Sequence, residues 1–156
     1  MSRTARAVTA KKDYQQHRAM GEARVQVKLL NAIDEGMARR GLLPENQVRT
    51  YEANALVDSG AVSSVLPVEV TRRLGLEIVD QRVAQYANGS QEVVDVTEPV
   101  AIVINNRKTV EQTLVHGDEV LIGQTVLETL DLLVDCVYGR VIPNPAHPDQ
   151  TVNKVK

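Results

Sequence analysis

An apolar run, Ala55-Leu56-Val57, passes without a spacer into Asp58-Ser59-Gly60, and the chain then returns to small and apolar residues as far as Pro67. Few features limit a fold as much. A carboxylate at the end of an apolar strand is costly to bury unless it is hydrogen-bonded or paired. The run therefore predicts a buried strand that delivers an acid to the domain interior or to a cleft. Taken alone, Asp-Ser-Gly is a weak signal, because most such tripeptides are turns in which the carboxylate caps nearby backbone N–H groups. The Ser59 hydroxyl is placed to fix such a loop by hydrogen bonding. Gly60 removes a side chain where another backbone or a substrate has to come close.

The rest of the chain reads as strands around this point. It has 25 Val against 14 Leu and 6 Ile, and no Phe or Trp. β-Branched side chains suit pleated strands, so the core is expected to be aliphatic and the fold β-rich. Val25, Val27 and Leu29 alternate as in a half-buried strand. Gly41–Gln47 reads as a loop, and Val48–Val57 as the strand that carries Asp58. Val68–Leu76 reads as a short helix or turn ending near Gly75. Asn88-Gly89 is a two-residue turn signal between strand-like arms, and Asn105-Asn106 turns a second hairpin. Asp118–Gly123 is a short strand. Val126, Leu127 and Leu130 then share one face at helical spacing, which predicts the one clear helix. Leu132–Ile142 returns to strand texture around Gly139, and the prolines after Ile142 stop regular structure. The expected division is a polar, basic arm over 1–22, solvated or disordered, one domain over 23–143, and a Pro-rich polar tail over 144–156.

Composition removes several classes of function. The formal net charge of −2 gives no reason to expect a nucleic-acid partner. No apolar run approaches the length of a membrane span, and no secretory signal opens the chain. The single cysteine, Cys136, has no internal disulfide partner. Together these point to a cytoplasmic, reduced setting, in which Asn88-Gly89-Ser90 matches a glycosylation acceptor by chance. His17, His116 and His147 lie far apart without metal-ligand spacing and read as surface or loop residues, so no metal is expected. Cys136 reads as a small buried hydrophobe, and Ser63 and Ser64 sit in nothing like a nucleophile elbow. No phosphate loop or dinucleotide fingerprint is present, and no cofactor is expected.

One carboxylate makes a poor hydrolase. Two held about a hydrogen bond apart share a proton, so that one acts as general base on a water and the other as general acid. Asp135 also follows an apolar run, but no glycine follows it, and the chain is too short for two such lobes. A second acid, where the chemistry uses one, has to come from a second copy of the chain.

At this point the sequence resembles the retropepsin-like aspartic proteases, the single-lobe relatives of the pepsins, and its ending is most similar to a bacterial branch of them. Leu56-Val57-Asp58-Ser59-Gly60-Ala61 resembles their catalytic loop, with Ser where Thr is more usual. The hairpin tip Ala87-Asn88-Gly89-Ser90 resembles the substrate-binding flap. Leu121-Ile122-Gly123 resembles the second signature that packs on the catalytic loop, and Gln124–Leu130 the helix after it. The resemblance runs from Arg24 to Ile142. It implies an all-β acid-protease barrel with one short C-terminal helix, half of a pepsin-like two-lobe fold. It further implies a homodimer whose two Asp58 carboxylates activate water on an extended peptide or protein substrate, with Ser59 bracing the two loops across the axis. The N-terminal arm does not align, and the ends that build the dimer sheet of viral members have no counterpart. Tyr86 reads as an ordinary strand aromatic. One alternative is a non-catalytic retropepsin-like module for dimerisation or peptide binding. Another is a plain β-barrel in which Asp58 only caps its loop. Asp58, Ser59 and Gly60 together favour catalysis over the first, and the flap-like hairpin and the second signature count against the other.

Overall fold

The computed structural model describes residues 22–156, so the expected arm, Glu22 excepted, lies outside the described residues, as does His17. The strands are β1 (Ala23–Asn31), β2 (Thr50–Val57), β3 (Val65–Leu66), β4 (Ile78–Gln85), β5 (Gln91–Thr97), β6 (Val100–Ile104), β7 (Arg107–Glu111), β8 (Leu114–Val115), β9 (Leu121–Ile122), β10 (Leu132–Asp135) and β11 (Arg140–Pro143). Helices α1 (Ala32–Arg39), α2 (Val68–Arg73) and α3 (Gln124–Leu130) are interspersed. The fold is mostly β. Nine strands form one sheet in the order β4-β5-β8-β3-β9-β2-β1-β6-β7, and β10 and β11 pair separately.

The alternation in β1 is realised: Ala23, Val25, Val27 and Leu29 are buried while Gln26 and Lys28 are exposed. β1 pairs antiparallel with β2 from Ala23↔Val57 to Leu30↔Thr50, and its other edge pairs with β6. The strand that ends at Asp58 is thereby fixed along its length. The core is aliphatic, built on Leu29, Leu66, Leu74, Ile102, Ile104, Ile122 and Leu130, with Tyr51 only at its margin. Each such side chain contributes roughly 1.5–3 kcal/mol through burial.

The topology around Asp58 is a crossing. β9 runs parallel to β2, with Leu56↔Leu121 and Val57↔Ile122 in register. On its other side β9 meets β3 antiparallel at Val65↔Leu121. The short strand thus lies between the two strands that flank the Asp58 loop.

Three findings differ from the sequence reading. First, α1 and α2 join the expected helix α3, whose Val126, Leu127 and Leu130 are buried together. α2 forms where a short helix or turn was open. α1 is unexpected because it lacks an apolar stripe: its buried residue is Asp34. Polar contacts hold it instead. Asn31 Oδ1 accepts the N–H groups of Ile33 and Asp34 at 3.1 and 3.0 Å, a helix N-cap. Arg49 donates Nε and Nη2 to the Asp34 carboxylate at 2.8 and 2.9 Å, and its hydrogen bond holds the Asp34 pKa below the usual value against burial.

Second, the two asparagine turns differ. Asn105 and Asn106 form the two-residue turn between β6 and β7, with φ of 50° and 64°. Asn88-Gly89 does not. Gly89 N–H donates to Tyr86 O and Tyr86 N–H to Ser90 O, both at 2.9 Å, with positive φ only at Gly89. This is a three-residue loop in which a type I turn is followed by a left-handed glycine.

Third, Cys136 is exposed rather than a buried hydrophobe. β10 stops at Asp135, whose carboxylate accepts the N–H groups of Val137 and Tyr138 at 3.1 and 3.3 Å, so Cys136 falls in the turn. Beyond Pro143 the tail has no helix or strand, yet it is clasped to the end of α3. Asn144 Nδ2 and the Val152 N–H donate to the Asp131 carboxylate at 2.9 and 3.2 Å, and His147 Nδ1 lies 2.7 Å from it.

Candidate active site

The chain turns at the end of β2, and hydrogen bonds to its backbone hold the turn. The Asp58 N–H donates to Ile122 O at 3.0 Å and the Ala61 N–H to Asp58 O at 3.1 Å. Asp58 Oδ1 accepts the Gly60 N–H at 2.9 Å, closing an Asx turn. A Cβ on Gly60 would lie 3.2 Å from that same oxygen, so glycine leaves room for the carboxylate to stand upright. Among the described residues the Ser59 hydroxyl has no hydrogen-bond partner.

The first donors of a helix need acceptors, and α3 has no side-chain cap. The Asp58 loop supplies them: Gln124 N–H donates to Ala61 O at 2.7 Å and Thr125 N–H to Val62 O at 3.3 Å. Gly123 N–H donates to Ser64 Oγ at 3.0 Å. A Cβ on Gly123 would fall 2.7 Å from the backbone of Val62 and Ser63, a distance that real Cβ atoms do not adopt. Loop and helix are therefore one unit, and Gly123 is where they touch.

Asp58 is exposed on one wall of a cleft of about 1050 Å³. Gly60, Ala61 and Leu121 line the same cleft. So do Val83–Ala87 from the β4–β5 hairpin and His116–Glu119 from the segment leading into β9. Of the residues expected at the flap, Ala87 faces the cleft, while Asn88, Gly89 and Ser90 form the exposed tip beyond it. Of the second signature, Leu121 lines the cleft and Ile122 belongs to the core. Val65, Val83, Val94 and Leu114 give the cleft an apolar wall, and among the described residues no Lys or Arg lines it. A smaller depression of about 450 Å³ lies apart from Asp58, beside Lys28, Glu35 and Lys108.

Sequence reading missed His116–Glu119 as part of this site. The signal was present: a segment that runs directly into the strand beside Asp58 has to pass close to it. Asp135, considered as a second acid, does not line the cleft. Burial pushes its pKa up, but the Arg140 side chain, Tyr138 N–H and Val137 N–H outweigh that and hold it low. Behind the loop, burial raises the pKa of Glu111 on β7 against the opposing pull of the Ser64 hydroxyl and N–H. Among the described residues no group of three or more His, Cys, Asp or Glu side chains comes together as a metal site would, and no helix is long and apolar enough to cross a membrane.

The family described as "gag-polyprotein putative aspartyl protease" matches residues 45–129, more than half of the chain. That stretch contains the Asp58 loop, the β4–β5 hairpin and Leu121–Gly123. The chain belongs to this family of retropepsin-like aspartic proteases. Similar solved structures include the EIAV protease complexed with the inhibitor HBY-793, at 25% identity over 49% of this chain and 75% of that one, with a TM-score of 0.41. The retroviral protease-like domain of Ddi1 from Leishmania major is similar at 13% identity, over 86% and 95% of the two chains, with a TM-score of 0.49. A retropepsin-like aspartic protease from Rickettsia conorii is similar at 16% identity, over 74% and 85%, with a TM-score of 0.44. No curated protein matches the chain.

Proposed function

We propose that the chain is an aspartic endopeptidase that works as a homodimer, with Asp58 from each copy forming the catalytic dyad. The observation that carries this reading is the setting of Asp58. It follows a strand paired on both edges, its loop is pinned by hydrogen bonds at Asp58, Gly60 and Ala61, and its carboxylate is exposed at a cleft of about 1050 Å³. Rigidity of this kind suits a group that must hold a water against a peptide carbonyl. A two-fold axis close to the loop would bring an identical carboxylate beside it, since such an interface repeats one surface on both copies. Two features favour that contact face. Ser59 has a hydroxyl free to brace the partner loop, and Val62 is 73% exposed beside it.

In this reading the ionised carboxylate takes a proton from the water as it attacks the peptide carbon. The protonated one hydrogen-bonds the carbonyl oxygen, and the tetrahedral intermediate collapses with a proton passing to the leaving amine. No acyl-enzyme forms. Because the pair must hold one proton, activity should peak at acidic to mildly acidic pH. The test is cleavage of a mixed peptide library from pH 4 to 7 by wild type and Asp58→Asn, with and without a statine-type inhibitor. Sedimentation is run alongside. Cleavage lost in the variant and with inhibitor supports the reading. A folded dimer that binds library peptides without cutting them overturns catalysis in favour of a peptide-binding module, and a monomer at high concentration overturns the shared dyad.

A further inference from the structure

The β4–β5 hairpin is tied to the rest of the protein at its base. β5 meets β8 only at Asp95↔Val115 and Val96↔Leu114, and β4 pairs with β5 alone. Farther out, among the described residues, one side chain from outside reaches the hairpin through a hydrogen bond or ion pair, and it is His116. Its N–H is anchored to Leu66 O at 3.0 Å. Both ring nitrogens lie 3.3 Å from Tyr86 Oη, and the two ring centroids are 5.3 Å apart. Tyr86 Oη donates to Glu92 Oε2 at 2.7 Å, and His116 Nδ1 is 3.7 Å from the same oxygen. Tyr86 and His116 both line the cleft with Asp58.

We propose that His116 is a positioning residue. Its protonated imidazole ties the hairpin to the cleft wall through Glu92 and Tyr86, so that the hairpin is held at the Asp58 cleft more firmly as the pH falls. This rests on the reading of the cleft as a peptide site. The charged and titratable groups near the imidazole are acids and a phenol. Tyr86 faces it from the end of β4 and Glu92 from β5, with Asp95 farther along that strand. Asp118 and Glu119 follow on its own segment, Glu119 already paired with Arg24 at 3.2 Å. Asp58 lies in the same cleft, β3 brings no charged group, and among the described residues no Lys or Arg lines the cleft. Glu92 holds the Tyr86 hydroxyl as a donor by raising its pKa, which leaves the imidazole to reach the carboxylate itself. Histidine is the side chain whose charge responds to the change from neutral to mildly acidic conditions, so those two conditions are compared.

The test is hydrogen exchange read by mass spectrometry on peptides covering residues 82–92, at pH 5.5 and 7.5, corrected for the intrinsic pH dependence of exchange. Wild type, His116→Gln, Glu92→Gln and Asp58→Asn are compared. Wild type is expected to exchange roughly two- to fivefold more slowly at the lower pH, the size an exposed ion pair commands. That step should vanish in His116→Gln and Glu92→Gln and persist in Asp58→Asn. A step that survives in His116→Gln, or no step in wild type, overturns the proposal. The readout needs no turnover, so its failure stays separate from a failure of the protease reading.

Discussion

Two hairpins, both announced by asparagine turns, have opposite fates in this fold. In β6–β7, Val100, Ala101, Ile102 and Ile104 are all buried, and β6 is paired on both edges. In β4–β5, β4 is exposed almost throughout, and Val83 and Val93 are 62% and 61% exposed. Strand propensity is similar in the two, so propensity does not decide which becomes core. Neighbours do. β6 lies between β1 and β7 in the sheet, while β4 is an edge strand paired with β5 alone, with Asp80, Gln81 and Arg82 interrupting its apolar residues. The turns follow suit: a tight two-residue turn closes the buried hairpin, and a looser three-residue loop closes the projecting one.

The largest expected effect breaks the buried hairpin. Ile102 is fully buried, so Ile102→Ala should cost about 2–5 kcal/mol, read as a lower urea midpoint with little change in slope. Next comes the base shared by both hairpins. Thr97 and Thr113 hydroxyls lie 2.9 Å apart, and Thr113 N–H donates to Thr97 Oγ1 at 3.2 Å, all buried. Thr97→Val keeps the shape but strands those partners, which costs about 1–3 kcal/mol. It should also speed exchange along β5, because that junction is where the projecting hairpin is rooted.

Most of the buried architecture was legible because it follows from periodicity. Alternation exposed β1, the apolar run exposed β2, and Val126, Leu127 and Leu130 exposed α3. α1 was not legible, because its stability lies in the Asn31 cap and the Asp34–Arg49 pair, and such contacts leave no apolar period. The Asp58 loop was legible from Asp-Ser-Gly after an apolar strand, and Gly123 from its place after Leu121-Ile122. The latch at His116 was not. It depends on β8 carrying that residue to a hairpin formed by Tyr86 and Glu92, a meeting set by the sheet order rather than by sequence spacing.

A smaller effect marks the cost that the buried hairpin carries. Glu111 ends β7 with one carboxylate oxygen buried and without a hydrogen-bond partner, and burial holds its pKa above the ordinary value. A carboxyl whose folded pKa is raised destabilises the fold while it is ionised. That penalty is present above the raised pKa and disappears as the pH falls through it. Glu111→Gln should therefore raise Tm at neutral pH, and the gain should fade toward pH 3.5. A gain that grew on acidification would contradict this sign. No such group burdens the projecting hairpin, whose charged residues are solvated.

The smallest stability effect should come from Val83→Ala on β4. The side chain is largely exposed, so less than about 0.5 kcal/mol is expected in a urea titration. Yet Val83 lines the cleft with Asp58. If the hairpin is a substrate wall, the same change should weaken peptide binding, seen as a raised KM, while kcat stays near wild type. Ile102→Ala should do the reverse, lowering stability with KM unchanged in the folded fraction. Measuring both variants by both methods separates a hairpin that holds the fold from one that meets the substrate. A Val83→Ala protein that loses several kcal/mol, or that keeps its KM, would erase the distinction between them.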